Sequence, residues 1–296
     1  MAKYVIKKYE KGFEVDQERV GNEVALTFLL PHQTRAEFLK ERYSQEDFDP
    51  ETRLYAFKDD EMVGFLTSRV LEEQEDGVKR ASLTPPSVLS KHAEVNDILI
   101  NQATEILTKK GVQQIRTFIG TGSNKNEDDA KKWGYNKVST NHFLYKIELD
   151  TLDISVSTEK VNEFNFDKHQ KAVATMMAEL YERDFEWANA FFERIKTQEL
   201  PKRFQYVIEE DDKIMAYAGI SLNNIKETCA TIFGIRAENP EYMKSILTKV
   251  AQVAKKEKIE QLTIGFTEES DIEKEKFKGI PFKLIGSTSL FTKDLE

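Results

Sequence analysis

The chain has 296 residues, 40% of them hydrophobic, which is enough for two cores of ordinary size and long for a single one. Its charges are mixed in sign, make up 32% of the sequence and leave a net of −9, which argues against a nucleic-acid groove. The single cysteine, Cys229, leaves no intrachain disulfide, the N-terminus lacks an apolar signal core, and no stretch nears the roughly 20 apolar residues of a membrane span; the expectation is a cytoplasmic protein with neither nucleic acid nor membrane as partner.

In chain order, Tyr4 to Tyr9 reads as an opening strand. Glu14 to Leu30 reads as a helix limited by Pro31, and Gln33 to Tyr43 as a second, shorter one. Two β-rich runs, from Arg53 to Lys58 and from Met62 to Val70, flank Asp59-Asp60-Glu61 as a hairpin. Val78 to Thr84 is a third strand, expected to stop at Pro85-Pro86 because proline brings no donor to a ladder. Val95, Ile98, Leu99, Ala103, Ile106 and Leu107 recur at helical spacing, so a long helix runs from Glu94 to Lys110 with Gly111 as its stop. Gln114 to Ile119 is a strand, Asn126 to Trp133 a short charged helix ended by Gly134, and Tyr135 to Leu149 closes the series in β form.

The same order then returns. Ile154 to Phe166 reads as a strand, Lys168 to Glu182 and Phe185 to Lys196 as helices, and a hairpin from Tyr206 to Leu222 turns at Asp211-Asp212-Lys213. Ala230 to Ile235 is a strand, and Pro240 opens a helix to Lys256, proline being tolerated in a first turn. Gln261 to Phe266 is a strand, Ile272 to Phe277 a short helix, and Phe282 to Leu295 the closing β run. Gly134 answers to Gly279 at an offset of 145 residues and Leu149 to Leu295 at 146, so the chain is two copies of one α/β unit. The seam falls at Asp150 to Asp153, giving domains 1–150 and 151–296.

The hairpin Leu54 to Phe65, the strand, loop and helix from Val78 to Gly111, the strand Ile115 to Ile119 and the run Asn126 to Tyr135 together resemble the GNAT superfamily of acyl-CoA-dependent N-acyltransferases. The second copy repeats the hairpin from Tyr206 to Gly219 and the ending from Phe277 to Phe282, so the whole resembles a tandem GNAT protein. The resemblance implies two mixed, twisted sheets in tandem, each with helices on both faces. It also implies acetyl-CoA as cofactor and a small-molecule or protein amine as acceptor.

In that family a glycine-rich loop ahead of the long helix receives the pyrophosphate on backbone N–H groups. Here Lys91, His92 and Ala93 occupy that loop without a glycine, and Glu94 follows at the helix start. Backbone near Leu83 and Thr84 would polarise the thioester carbonyl, and Asn124 and Asn126 would meet the pantetheine arm. The family's tyrosine acid falls on Ala130, leaving Tyr135 and Tyr145 as substitutes, with Glu72 and Glu73 as candidate bases. The second copy's loop has no glycine, two carboxylates and one cation, Arg236, so no cofactor is expected there.

Other residue types carry less. The four histidines have no metal-ligand spacing, and Cys229 reads as a small buried hydrophobe. Phe185, Trp187, Phe191 and Phe192 form either a core stripe or an apolar acceptor pocket. The leading expectation is an N-acetyltransferase with its site in the first copy. Its rivals are a catalytically silent binding or scaffolding tandem, and a peptide-bond-forming transferase using aminoacyl-tRNA, against which the acidic net charge counts.

Overall fold

A computed structural model describes residues 4–72, 75–120, 125, 127–152, 155–196, 202–267 and 277–295. The strands are β1 (Val5–Lys8), β2 (Arg53–Lys58), β3 (Glu61–Val70), β4 (Arg80–Val88), β5 (Gln114–Gly120), β6 (Asn136–Ile147), β7 (Val161–Glu163), β8 (Arg203–Glu210), β9 (Lys213–Leu222), β10 (Cys229–Ala237), β11 (Gln261–Phe266) and β12 (Phe282–Asp294). The helices are α1 (Glu14–Ala25), α2 (Ala36–Tyr43), α3 (Val95–Lys109), α4 (Glu127–Lys132), α5 (Phe166–Leu180), α6 (Phe185–Lys196) and α7 (Pro240–Lys256). No helix among the described residues is long and apolar enough to cross a membrane. Ile272 to Lys276 of the expected last short helix lie outside the described residues.

The chain divides into two compact units, Met1–Asn141 with Gly286–Glu296, and His142–Ile285. This differs from a seam at Asp150 to Asp153. Thr288 to Asp294 of β12 pair antiparallel with β5 in the first unit, while Phe143 to Ile147 of β6 pair antiparallel with β11 in the second. Each unit is therefore finished by the closing strand of the other sequence repeat, a long-range pairing that local pattern does not encode.

In the first unit the strand order is β1-β2-β3-β4-β5-β12, antiparallel except for β4 beside β5. Alternation along β2 and β3 sends side chains to two cores. Leu54, Ala56 and Val63 pack with Val95, Leu99 and Leu107 of α3, whereas Tyr55, Phe57 and Met62 pack with Val20 and Val24 of α1. The buried Gln17 of α1 satisfies this second core by accepting from Tyr43 and Tyr55 at 3.0 and 2.8 Å. Helix α1 ends at Ala25, short of Leu30, because Thr27 and Phe28 tighten into bonds three residues back.

In the second unit the order is β6-β11-β10-β9-β8-β7, with β10 and β11 the parallel pair. Helix α7 covers one face through Met243, Ile246, Leu247 and Val250, and α5 and α6 cover the other through Val173, Met177, Ala188 and Phe192. Both hairpins turn on aspartates in the left-handed region, Asp59 (φ 50°) with Asp60 (φ 65°) and Asp211 (φ 51°) with Asp212 (φ 60°). Short acidic side chains tolerate that conformation better than bulky ones, and its twist matches the flanking strands.

A surface cluster ties the end of α3 to the turn before β2. The Lys110 ammonium lies 2.7 Å from Asp49 and 2.9 Å from Glu51, and Lys8 also bonds Glu51. Hydrogen bonds from Lys8 and then Lys110 hold the Glu51 carboxyl down at about 2, from an ordinary 4.5. A depressed carboxyl contributes stability above its unfolded value and loses it as pH falls through the folded one. We expect Lys110→Met to flatten the fall of the urea midpoint between pH 4.5 and about 2; an unchanged slope would show that the cluster does not couple to folding.

Candidate active site

In both units the parallel pair separates part-way along. β4 and β5 are in register only from Arg80 to Ser82, and β10 and β11 only from Cys229 to Ile232. Where the separation begins, the outer ladder skips. The register between β3 and β4 shifts between Thr84 and Ser87, and that between β9 and β10 shifts between Phe233 and Arg236. These are the same bulge, 149 residues apart. A bulge beside a split sheet frees backbone N–H groups from the ladder and aims them at a cleft.

The two bulges differ in what they carry. The first holds Pro85 and Pro86, so β4 runs on to Val88 instead of stopping at Thr84. Prolines are accommodated here because β5 is no longer paired and the β3 ladder skips, so no acceptor waits for the missing N–H. The same substitution removes two donors from the place where a thioester carbonyl would need them. Leu83 is buried on this strand and Thr84 exposed.

Beyond the first bulge, Ser90–His92 makes a single tight turn before α3. Lys91 and Ala93 are exposed, and Glu94 brings a carboxylate to the helix start. The Tyr4 hydroxyl donates to Glu94 at 2.5 Å and lies 3.0 Å from His92 Nδ1. The Tyr4 bond is the main reason the Glu94 carboxyl is held below its usual range, and the same contact pushes the Tyr4 hydroxyl up to about 12. A tied carboxylate stands where a pyrophosphate was expected, and it opposes an anion at the helix N-terminus.

Glu72 is exposed after β3, and Glu73, Asn124 and Asn126 lie outside the described residues. Ala130 is wholly buried, and Tyr135 is buried in the first unit's core, its hydroxyl raised by desolvation. Tyr145 sits in the second unit's core, edge-on to Phe266 and Phe282. The two tyrosines serve separate cores.

The second bulge holds Gly234 and Ile235, which both carry an N–H. Gly234 takes φ +62°, and a Cβ there would lie 2.8 Å from Tyr217 Cε1 and 3.3 Å from Met177 Sδ, so glycine is required by conformation and by space. Its N–H donates to the Tyr181 hydroxyl at 3.3 Å. Tyr181 follows α5 directly, packs edge-on to Trp187 at 5.7 Å and is exposed as a residue, while desolvation of its hydroxyl raises that group's pKa, with the Gly234 bond partly opposing. Two residues past the glycine, Arg236 reaches Glu179 at 3.3 Å. Arg203 lies over the rings of Phe191 and Phe233 at 5.7 and 5.5 Å, and burial lowers its pKa to about 10. The α7 N-terminus is closed by its own residues, with Asn239 Oδ1 accepting from Tyr242 N at 2.9 Å and Pro240 removing an amide.

Sequence reading passed over Gly234 and Tyr181. The available signal was a glycine inside a strand pattern, which marks a bulge or a close backbone approach.

No family model and no curated protein matches this chain. Solved structures do match it. A tandem GNAT protein from the clavulanic acid biosynthesis pathway aligns with a TM-score of 0.66 and 12% identity, over 99% of this chain and 98% of that one. A GNAT-family acetyltransferase from Colwellia psychrerythraea aligns at 0.63 and 12%, over 98% of this chain and all of that one. A GCN5-related N-acetyltransferase from Sphaerobacter thermophilus aligns at 0.58 and 13%, over 98% and 95%. The fold is that of tandem GNAT proteins.

Proposed function

We propose that this chain is an acyl-CoA-dependent N-acyltransferase whose chemistry is carried by the second unit, with the first unit a non-catalytic copy. The observation behind this reading is the contrast between equivalent bulges, Pro85-Pro86 without an N–H and Gly234-Ile235 with one on each residue, that of Gly234 donating to Tyr181. Preorganised backbone donors aimed at a developing negative oxygen are a large catalytic contribution. At these positions only the second bulge carries N–H groups, and this favours the second unit over the first as the place of the chemistry.

Bound acetyl-CoA supplies an activated acyl thioester. The residues present suit its thioester end, at Gly234 and Ile235, better than its phosphate end, where Asn239 and Pro240 occupy the helix start. On binding, the acyl carbonyl would take over the Gly234 N–H that the Tyr181 hydroxyl accepts in the free protein. The chemistry acetyl-CoA would supply is acyl transfer, a bond from the acceptor nitrogen to the acyl carbon being made as the carbon–sulfur bond is broken. Tyr181, which accepts the Gly234 N–H and keeps its own proton, donates that proton to the departing thiolate. The proton shed by the amine goes to a solvent water, Glu179 being engaged by Arg236.

Calorimetric titration of acetyl-CoA into the whole chain tests this. We expect one site, unaffected by Lys91→Glu in the first unit's loop. Loss of binding in Lys91→Glu would return the site to the first unit, and no heat at about millimolar ligand would remove the transferase reading. In that event the binding or scaffolding alternative stands, favoured by the self-occupied starts of α3 and α7.

A further inference from the structure

A cavity of about 550 Å³ opens in the second unit between the outer side of α5, the start of β9 and the end of β10. That volume suits a small molecule. Four cations line it, Lys168 and Lys171 from α5, Lys213 from β9 and Arg236 from β10, against two carboxylates, Glu179 and Glu238. On a chain of net charge −9 such an excess is against the general field. Two of the four are already matched, Lys168 by Glu209 and Arg236 by Glu179. Lys171 and Lys213 make no ion pair among the described residues, and both are exposed.

We propose that this cavity binds the anionic group, a carboxylate or a phosphate, of a small ligand, and that the ligand is the amine acceptor. The acceptor role rests on the transferase reading above. Arg236 stands two residues beyond Gly234 on β10, at most about 7 Å of chain away. An amine at the bulge and an anionic group at Arg236, Lys171 and Lys213 are therefore ends of one small molecule. Lysine ammoniums contribute point charge for either oxyanion, and the Arg236 guanidinium adds paired N–H donors once Glu179 gives way. Phosphate and carboxylate share this chemistry, so the probes must separate them.

The test is calorimetry on the full chain with three amines, O-phosphoethanolamine, 4-aminobutyrate and, lacking an anion, ethanolamine. We expect one of the two anionic amines to bind at a single site and ethanolamine not to. The double variant Lys171→Glu/Lys213→Glu should weaken that binding at least about tenfold. Failure of both anionic amines to bind, or binding indifferent to the charge reversals, overturns the site. Thiol release from acetyl-CoA separates the two ideas. Binding that follows the variants without any thiol release keeps the anion site and ends the transferase reading. Thiol release as fast with ethanolamine as with the anionic amines, in wild type and double variant alike, overturns the acceptor role.

Discussion

Gly234→Ala is expected to destabilise the second unit by about 2–5 kcal/mol. Part of this is conformational, since a residue with a Cβ at φ +62° costs roughly 1–2 kcal/mol. The rest is collision. The new carbon would meet Tyr217, which is fully buried, at 2.8 Å and Met177, also buried, at 3.3 Å, and overpacking of this kind costs about 1–3 kcal/mol. Gly111→Ala separates the two terms. Gly111 has φ +75° and nothing within 4 Å of a Cβ, so it should lose only the conformational part, about 1–2 kcal/mol. The chain's two tryptophans lie one in each compact unit, so urea unfolding followed by fluorescence reads the second unit alone in a Trp133→Phe background, for Gly234→Ala, and the first unit alone in a Trp187→Phe background, for Gly111→Ala. Equal losses from Gly234→Ala and Gly111→Ala would mean that the bulge relaxes around the added methyl and does not hold its amide in a fixed place.

Much of this architecture was legible because it is local. The Asp-Asp turns sit between alternating runs, and α3 and α7 carry apolar residues at helical spacing that the structure buries as Leu99, Leu107, Ile246 and Val250. The proline rule misled at Pro85-Pro86 because it assumes a ladder is present to be broken, and whether β4 still has partners at that point depends on residues elsewhere in the chain. The exchanged closing strands escaped for the same reason. Nothing within Phe282 to Leu295 states that its partner is Gln114 to Gly120. The candidate site suffered most. A tyrosine in a strand reads alike whether its hydroxyl meets a cleft or a core, and both Tyr135 and Tyr145 went to cores, whereas Tyr181, on the short connection after a helix, met the bulge. Repetition itself held the best clue. Proline pairs and a glycine at equivalent bulge positions make opposite statements about donors, and comparing the copies at that register exposes the difference before any cofactor is considered.

Tyr181→Phe is expected to lower the rate of thiol release from acetyl-CoA by about 100-fold or more, the usual contribution of a positioned acid, while leaving acetyl-CoA affinity within about threefold. The substitution keeps the ring, and so the edge-on contact with Trp187, and removes only the oxygen that accepts the Gly234 N–H. Its effect should therefore fall on turnover and not on folding. Burial raises the hydroxyl above the ordinary value of 10.0, so Tyr181 holds its proton across neutral pH and loses it only at higher alkalinity than a free tyrosine. For an acid that must be protonated, the rate stays level on this account through neutrality and falls on the alkaline side. The phenylalanine variant should lose that alkaline limb along with its rate, which a merely structural tyrosine would not produce. Retention of both the rate and the alkaline limb would leave the bulge amide as the second unit's sole contribution and reassign the thiolate's proton to solvent. Full loss of acetyl-CoA binding would instead make Tyr181 a wall of the cofactor cleft, since only a group the ligand touches in its ground state changes affinity without a transition-state term.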